Sequence, residues 1–155
     1  HTTMTVYLGL GTNLGDDKAA NLRKAVEMLH EQAGHVLACS SFMESEPWGF
    51  DSDNTFLNAV VAIDTKHTPH ELLCITQAIE RAIGRTHKTI DRNYCDRIID
   101  IDILLYDDIT INTPELTIPH PLMLQREFVC RPLQEIAPEL YNTLRSDKTR
   151  GAKND

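Results

Sequence analysis

Aromatic side chains are scarce in this chain, at 6% of residues with a single tryptophan, Trp48, so the core has to be built from aliphatic groups. Apolar runs are short: none approaches the ~20 residues that a membrane-spanning helix requires, which excludes a helical membrane protein. Cysteine is limited to Cys39, Cys74, Cys95 and Cys130, which are far apart, form no CxxC pair and have no clustered histidines. Neither a zinc site nor a redox dithiol is indicated, and reduced, buried thiols fit a cytoplasmic protein. Positive charge is also short, with 15 Lys and Arg against 23 Asp and Glu and a formal charge of −8. That balance argues against a general nucleic-acid binder, because phosphate contacts supply most non-specific affinity. What is present suffices for one domain, since a chain of 155 residues buries roughly 68–70% of its unfolded surface. Met4 could serve as a native start; residues 4–144 are expected to form the domain of a stand-alone protein and 145–155 a polar tail that frays.

Periodicity gives the element order. Thr5 to Gly11 (TVYLGLG) reads as a buried strand that delivers a tight turn at its glycines. A helix follows, capped by Asp16 or Asp17, with Leu22, Ala25, Val26, Leu29 and Ala33 on one side and Gly34 at its end. His35 to Ser45 alternates as a second strand, Glu46 to Asn54 is a turn-rich loop, and Phe56 to Asp64 is a third strand. Thr68, Pro69 and Glu71 spell a helix start, with Leu72, Leu73, Ile75, Ile79 and Ile83 as its apolar side until Gly84. Ile98 to Tyr106 is a fourth strand, Ile109 to Ile111 a short fifth, and Phe128 to Ala137 a closing helix. The order β-α-β-β-α-β predicts an α+β, ferredoxin-like fold: an antiparallel sheet with helices on one face, plus a C-terminal hairpin and helix. The opposite face is left for a ligand.

Chemistry concentrates where the chain is most apolar. In RIIDIDILLYDD (Arg97 to Asp108), strand alternation turns Asp100 and Asp102 to one face and Ile99, Ile101 and Ile103 to the other. Two like charges side by side repel and lose hydration, so they call for a cation or several donors. Mg²⁺ suits them, being held by one or two carboxylates plus substrate phosphates; the plainer alternative is a polar face salt-bridged to Arg92 and Arg97. Just upstream, Arg81, Arg85, Lys88, Arg92 and Arg97 hold five of the fifteen positive residues, and His87 adds a titratable position. Such a basic loop could hold phosphates, and residues 85–94 could close as a lid over bound ligands to exclude water.

Other positions carry two readings each. GLGTNLG (Gly9 to Gly15) lacks the spacing of a dinucleotide fingerprint and fits a tight turn better. Asn58 interrupts FLNAVVAI with an amide that a planar heterocycle could satisfy, and Phe56 on the same strand face could stack on that ring or simply join the core. His120, fixed between two prolines, suits a phosphate donor or an ordinary surface histidine. Gln77 and Glu80 share one helix face, which is either solvated or part of the site.

Several segments in this order resemble the 6-hydroxymethyl-7,8-dihydropterin pyrophosphokinases of folate synthesis. They are LGLGTNLGD (Leu8 to Asp16), SEPWG (Ser45 to Gly49), FLNAVV (Phe56 to Val61), TQAIERAIGR (Thr76 to Arg85), DRIIDIDILLY (Asp96 to Tyr106) and LTIPHPLMLQREFVCRPLQEIAPEL (Leu116 to Leu140). The resemblance implies transfer of pyrophosphate from ATP to the pterin hydroxymethyl group, with release of AMP. It implies two Mg²⁺ ions on Asp100 and Asp102, with Arg85 and Arg97 as catalytic phosphate contacts. Gln77, Glu80, Lys88, Ile103, Thr117, His120 and Arg126 would bind ATP. The pterin would stack between Phe56 and Phe128, bond Asn58 and meet the backbone of Ser45, Pro47 and Trp48. No nucleic acid, membrane or second subunit is implied. Two rivals share the element order: a palm-type nucleotidyl transferase, which would release pyrophosphate, and an RNA-binding module, which would show aromatics in a basic field where this chain shows Asp100 and Asp102.

Overall fold

The computed structural model describes residues 3–14, 17–46, 55–85 and 98–154. Its central sheet has the order β2-β4-β1-β5, built from β1 (Met4–Thr12), β2 (His35–Cys39), β4 (Phe56–Thr65) and β5 (Asp100–Tyr106), with β3 (Met43–Ser45) also pairing with β4. Every pairing is antiparallel. Helices α1 (Lys18–Gln32) and α2 (Pro69–Arg85) connect the strands as expected, and the order is that of a ferredoxin-like sheet. A small hairpin of β6 (Ile111–Asn112) and β7 (Thr117–Ile118) follows, then a cis Ile118–Pro119 bond, a 3₁₀ turn (Met123–Gln125), α3 (Glu127–Ile136) and α4 (Pro138–Asn154).

Local chemistry sets the helix starts. The Asp17 side chain accepts from the Ala20 N–H at 3.0 Å and caps α1. At α2 the Thr68 hydroxyl accepts from the Glu71 N–H while the Glu71 carboxylate accepts from the Thr68 N–H, so both orphan donors are satisfied reciprocally. The face of the sheet that carries Val6, Leu8, Leu10, Ala59, Val61, Ile63, Ile99, Ile101 and Ile103 packs with Leu22, Leu29, Leu72 and Ile79 into the main core.

Three expectations are corrected. The second strand is broken: Ser40 uses its hydroxyl, in place of a ladder carbonyl, to accept from the Val60 N–H (2.9 Å), and Glu135 captures the Ser41 N–H and hydroxyl, so β2 and β3 are separate pieces. No tight turn forms at Gly9 or Gly11, because β1 pairs with β4 through Thr12 and with β5 through Gly11. The face opposite α1 and α2 is only partly open, since the 3₁₀ turn, α3 and α4 cover Val60, Leu104 and Leu105 with Met123, Val129, Leu133, Phe128 and Tyr141. Helix α4 runs on through Arg145 to Asn154. The basic loop at 86–97 and the residues 47–54 lie outside the described residues.

The end of α1 meets β4 closely enough to permit a sharp test. A Cβ on Gly34 would stand 2.0 Å from the Asp64 carbonyl oxygen and 3.1 Å from the Thr65 Cα, both backbone atoms that cannot step aside alone. Gly34→Ala is expected to cost about 3 kcal/mol in urea unfolding, at the upper end of overpacking penalties. A loss within the roughly 0.5 kcal/mol of an ordinary surface change would refute that contact.

Candidate active site

Register places the chemistry. Gly11 of β1 pairs with Asn58 of β4 on one side and with Asp100 of β5 on the other, and Gly9 pairs with Val60 and Asp102 in the same way. Directly opposed residues in an antiparallel pair share a face, so Asn58, Gly11 and Asp100 form one row across the sheet and Val60, Gly9 and Asp102 the next. Phe56 belongs to this face as well, two residues before Asn58. It is the α3 side of the sheet, at the end that α3 leaves uncovered. Two glycines in the middle strand keep the surface between the amide and the acids at backbone height.

At the amide end, Asn58 is buried at 3% exposure, and its Nδ2 donates to the Met43 carbonyl (3.0 Å) and to the Ser45 hydroxyl (2.8 Å). Its two donors are thus satisfied within the protein, and Oδ1 is the atom nearest Gly11. Ser45 had been expected to contribute only its backbone. Nearby, the Lys18 ammonium donates to the Thr55 carbonyl at 2.8 Å, which ties the start of β4 to α1. Phe128 enters from the first turn of α3, half-buried, with the Arg126 guanidinium 5.5 Å from its ring centre in cation–π geometry.

At the acidic end, Asp100 and Asp102 are half-buried on the ligand side of β5 while Ile101 and Ile103 are buried behind them. Glu80 reaches in from α2, and its Oε2 accepts from the Ile101 N–H at 2.7 Å, capping the free edge of β5. Burial pushes the Glu80 carboxyl up to about 7; the Asp100 and Asp102 charges add to that rise, and the Ile101 N–H opposes it. His120 stands near this acid group and Arg126. Its Nδ1 accepts from the Leu122 N–H (3.2 Å), so Nε2 carries the proton of the neutral ring. Burial, with the Arg126 charge second, holds its pKa below the ordinary histidine value, against a smaller upward pull from Asp100. His120 is therefore a neutral donor at physiological pH.

The structure thus brings together Glu80, Asp100, Asp102, His120 and Arg126 at one end and Ser45, Phe56 and Asn58 at the other, with Phe128 beside Arg126. Gln77 is exposed on α2, three residues before Glu80, and Thr117 is exposed on β7. The Ile103 side chain belongs to the main core, so only its backbone can meet a ligand. Pro47, Trp48, Lys88 and Arg97 lie outside the described residues, as do Arg92 and the supposed lid; Arg85 closes α2. Gly11, Lys18 and Glu135 were not anticipated as neighbours of the site, because their contacts depend on cross-strand and helix–loop partners that a single sequence does not reveal.

A half-buried acid pair beside a neutral donor and an arginine, on a ferredoxin-like sheet, defines a class: a phosphate-transferring α+β enzyme domain. The particular family follows from comparison. A model of the family 7,8-dihydro-6-hydroxymethylpterin-pyrophosphokinase (HPPK) matches residues 7–138, and the chain belongs to that family. It is 52% identical over 137 residues to the 2-amino-4-hydroxy-6-hydroxymethyldihydropteridine pyrophosphokinase of Porphyromonas gingivalis, covering 88% of this chain and 92% of that one. The enzyme of the same name from Bacillus subtilis is 40% identical over 144 residues, 92% of this chain and 84% of its own. Among solved structures, wild-type HPPK-DHPS of Plasmodium falciparum superposes with a TM-score of 0.69 at 16% identity over 86% of this chain, which spans 41% of that longer protein. That likeness shows the fold.

The Glu80 environment makes a measurable claim. An acid whose folded pKa lies above its ordinary 4.5 favours the folded state below that value and loses this contribution as pH rises toward 7. Glu80→Gln removes the titration yet keeps an acceptor for the Ile101 N–H. Its stability relative to wild type is expected to improve by about 1–2 kcal/mol between pH 5 and pH 8 in chelator-treated buffer, after allowing for partial solvent screening. A pH-independent difference in urea titrations would refute the shift.

Proposed function

We infer that this chain transfers pyrophosphate from ATP to the hydroxymethyl group of 6-hydroxymethyl-7,8-dihydropterin in folate biosynthesis, releasing AMP. The observation that carries the residue assignment is the row Asn58–Gly11–Asp100, which sets a buried amide and a strand-borne acid on one face with a flat strip of backbone between them. A planar bicyclic ring suits the amide end. Phe56 and Phe128 supply its stacking faces, Asn58 and Ser45 its polar edge contacts, and Pro47 and Trp48 complete the pocket with backbone groups. The phosphates suit the other end, where Arg126 and the neutral Nε2–H of His120 donate to their oxygens and Arg85, Arg97 and Lys88 add positive charge. Gln77, Glu80, Thr117 and the Ile103 backbone border the nucleotide.

The donor set also fits a hard cation. Asp100 and Asp102 offer two carboxylates on one strand face, the number Mg²⁺ takes when phosphate oxygens and waters complete its shell, and their mutual repulsion is what a cation relieves. Two such ions, when bound, supply charge neutralisation along the triphosphate and ease loss of the hydroxyl proton. The protein's own share is positioning. Asn58 and the two phenyl rings aim the hydroxymethyl oxygen at the β-phosphorus; the new O–P bond forms as the bond from that phosphorus to the α,β-bridging oxygen breaks, and AMP departs with that oxygen. Arg126 and His120 hold the phosphate oxygens meanwhile. The enzyme is expected to work as a cytoplasmic monomer without nucleic acid or membrane, and its negative charge supports the absence of a nucleic-acid partner.

Chromatography of nucleotides after incubation with ATP, Mg²⁺ and the pterin tests the reading. Pterin-dependent AMP is expected, with Asp102→Asn slowing its formation at least about 100-fold, as for loss of one charge-stabilising group. ADP would mean single-phosphoryl transfer and free pyrophosphate would mean nucleotidyl transfer; either product overturns the assignment.

A further inference from the structure

The two glycines facing the ligand are not equivalent. A Cβ on Gly9 would meet only the tip of the Leu104 side chain, at 3.4 to 3.6 Å, which is ordinary contact with a flexible group. A Cβ on Gly11 would stand 3.2 Å from Asn58 Oδ1 and 3.7 Å from the Phe56 ring. Asn58 has nowhere to go: it is buried, and its Nδ2 is anchored to the Met43 carbonyl and the Ser45 hydroxyl. Gly11 lies in regular extended strand paired on both sides, so conformational freedom is not what the position needs. What it needs is the empty volume above its Cα.

We propose that Gly11 is a positioning residue for pterin binding, its missing side chain fixing Asn58 Oδ1 and the Phe56 ring at the height where a planar heterocycle lies flat across β1. This inference rests on the assignment of Asn58 and Phe56 to the pterin. An alanine at position 11 pushes Oδ1 outward by a few tenths of an ångström and raises a methyl group beneath the ring. The nucleotide end is untouched, because the acids, His120 and Arg126 do not contact that methyl position. The substrate class selected is a flat bicycle with a hydrogen-bonding edge, and rings with out-of-plane substituents on the strand side are excluded.

Titration of wild type, Gly11→Ala, Gly9→Ala and Asn58→Ala with the pterin and, separately, with the Mg²⁺ complex of the α,β-methylene analogue of ATP tests this. Gly11→Ala is expected to weaken pterin binding about tenfold or more, a scale set by sub-ångström misplacement of a positioning group, and to leave nucleotide binding unchanged. Gly9→Ala is expected to change neither. In an Asn58→Ala background, Gly11→Ala is expected to cost little further, because the two act through one contact. Asn58→Ala binding pterin as tightly as wild type would sink the underlying pterin assignment. A weakened Asn58→Ala beside an unimpaired Gly11→Ala would overturn the role of Gly11 alone. So would a Gly11→Ala protein that loses both ligands equally or fails to fold, since either result marks a structural glycine.

Discussion

The register of β1 against β4 and β5 is the constraint on which everything else rests. Because side chains alternate along a strand, one setting of that register sends Ile99, Ile101 and Ile103 into the α1–α2 core and turns Asp100 and Asp102 toward α3. A slip of one residue would exchange them. Burying each isoleucine is worth roughly 1.5–3 kcal/mol, and placing two carboxylates in an aliphatic core is worse still, so the misregistered sheet is strongly disfavoured. The site therefore inherits its geometry from hydrophobic packing on the other side of the sheet, and no loop has to hold the acids in place. That is the arrangement expected to give tight preorganisation, since groups on packed strands wander less than groups on connections.

Helix α3 does for the second face what the register does for the first. Its middle packs Val129 and Leu133 onto Val60 and Leu104, which fixes the helix over the sheet. With that fixed, its two ends reach different parts of the site. The first turn presents Arg126 and Phe128, and the last turn uses Glu135 to hold Ser41 by its N–H and hydroxyl. Ser41 begins the link into β3, whose Ser45 supplies an acceptor for the Asn58 amide. One buried stretch of helix thus governs both the aromatic wall and, through the loop, the orientation of the buried amide.

Much of this was legible in the sequence because it depends on local periodicity. The capping box at Thr68 and Glu71, the amphipathic sides of α1 and α2, and the two-faced strand at Asp100 are patterns within a few residues of each other, and the structure bears them out. The misses all depend on partners distant in sequence. Ser40 breaks the second strand because its hydroxyl meets Val60, and Glu135 meets Ser41 across 94 positions. Gly9 and Gly11 suggested a turn because a glycine pair after an apolar run usually marks one; that they instead form the floor of a sheet face becomes visible only when Asn58 and Asp100 stand on either side. Helices on both faces rather than one follow from α3, which the sequence marks as a closing helix without showing what it covers.

The electrostatic layout of the site separates along the same lines. Desolvation falls mainly on the acidic end, where burial and then the Asp100 and Asp102 charges raise the proton affinity of Glu80, and the neighbouring His120 is pushed the opposite way, toward the neutral form. Left to itself this end is under tension: negative charge is crowded beside a group that declines to become positive. A phosphate arriving without cations would add to the crowding, whereas one arriving with divalent cations would relieve it and still find in His120 a donor that carries no charge to be neutralised. The amide end has no such tension, since Asn58 is already bonded and the glycine strip is neutral. On the proposed assignment the sheet would separate two demands: recognition of a flat neutral ring would fall to a prepaired amide over bare backbone, and handling of a highly charged chain to acids whose repulsion a cation would relieve.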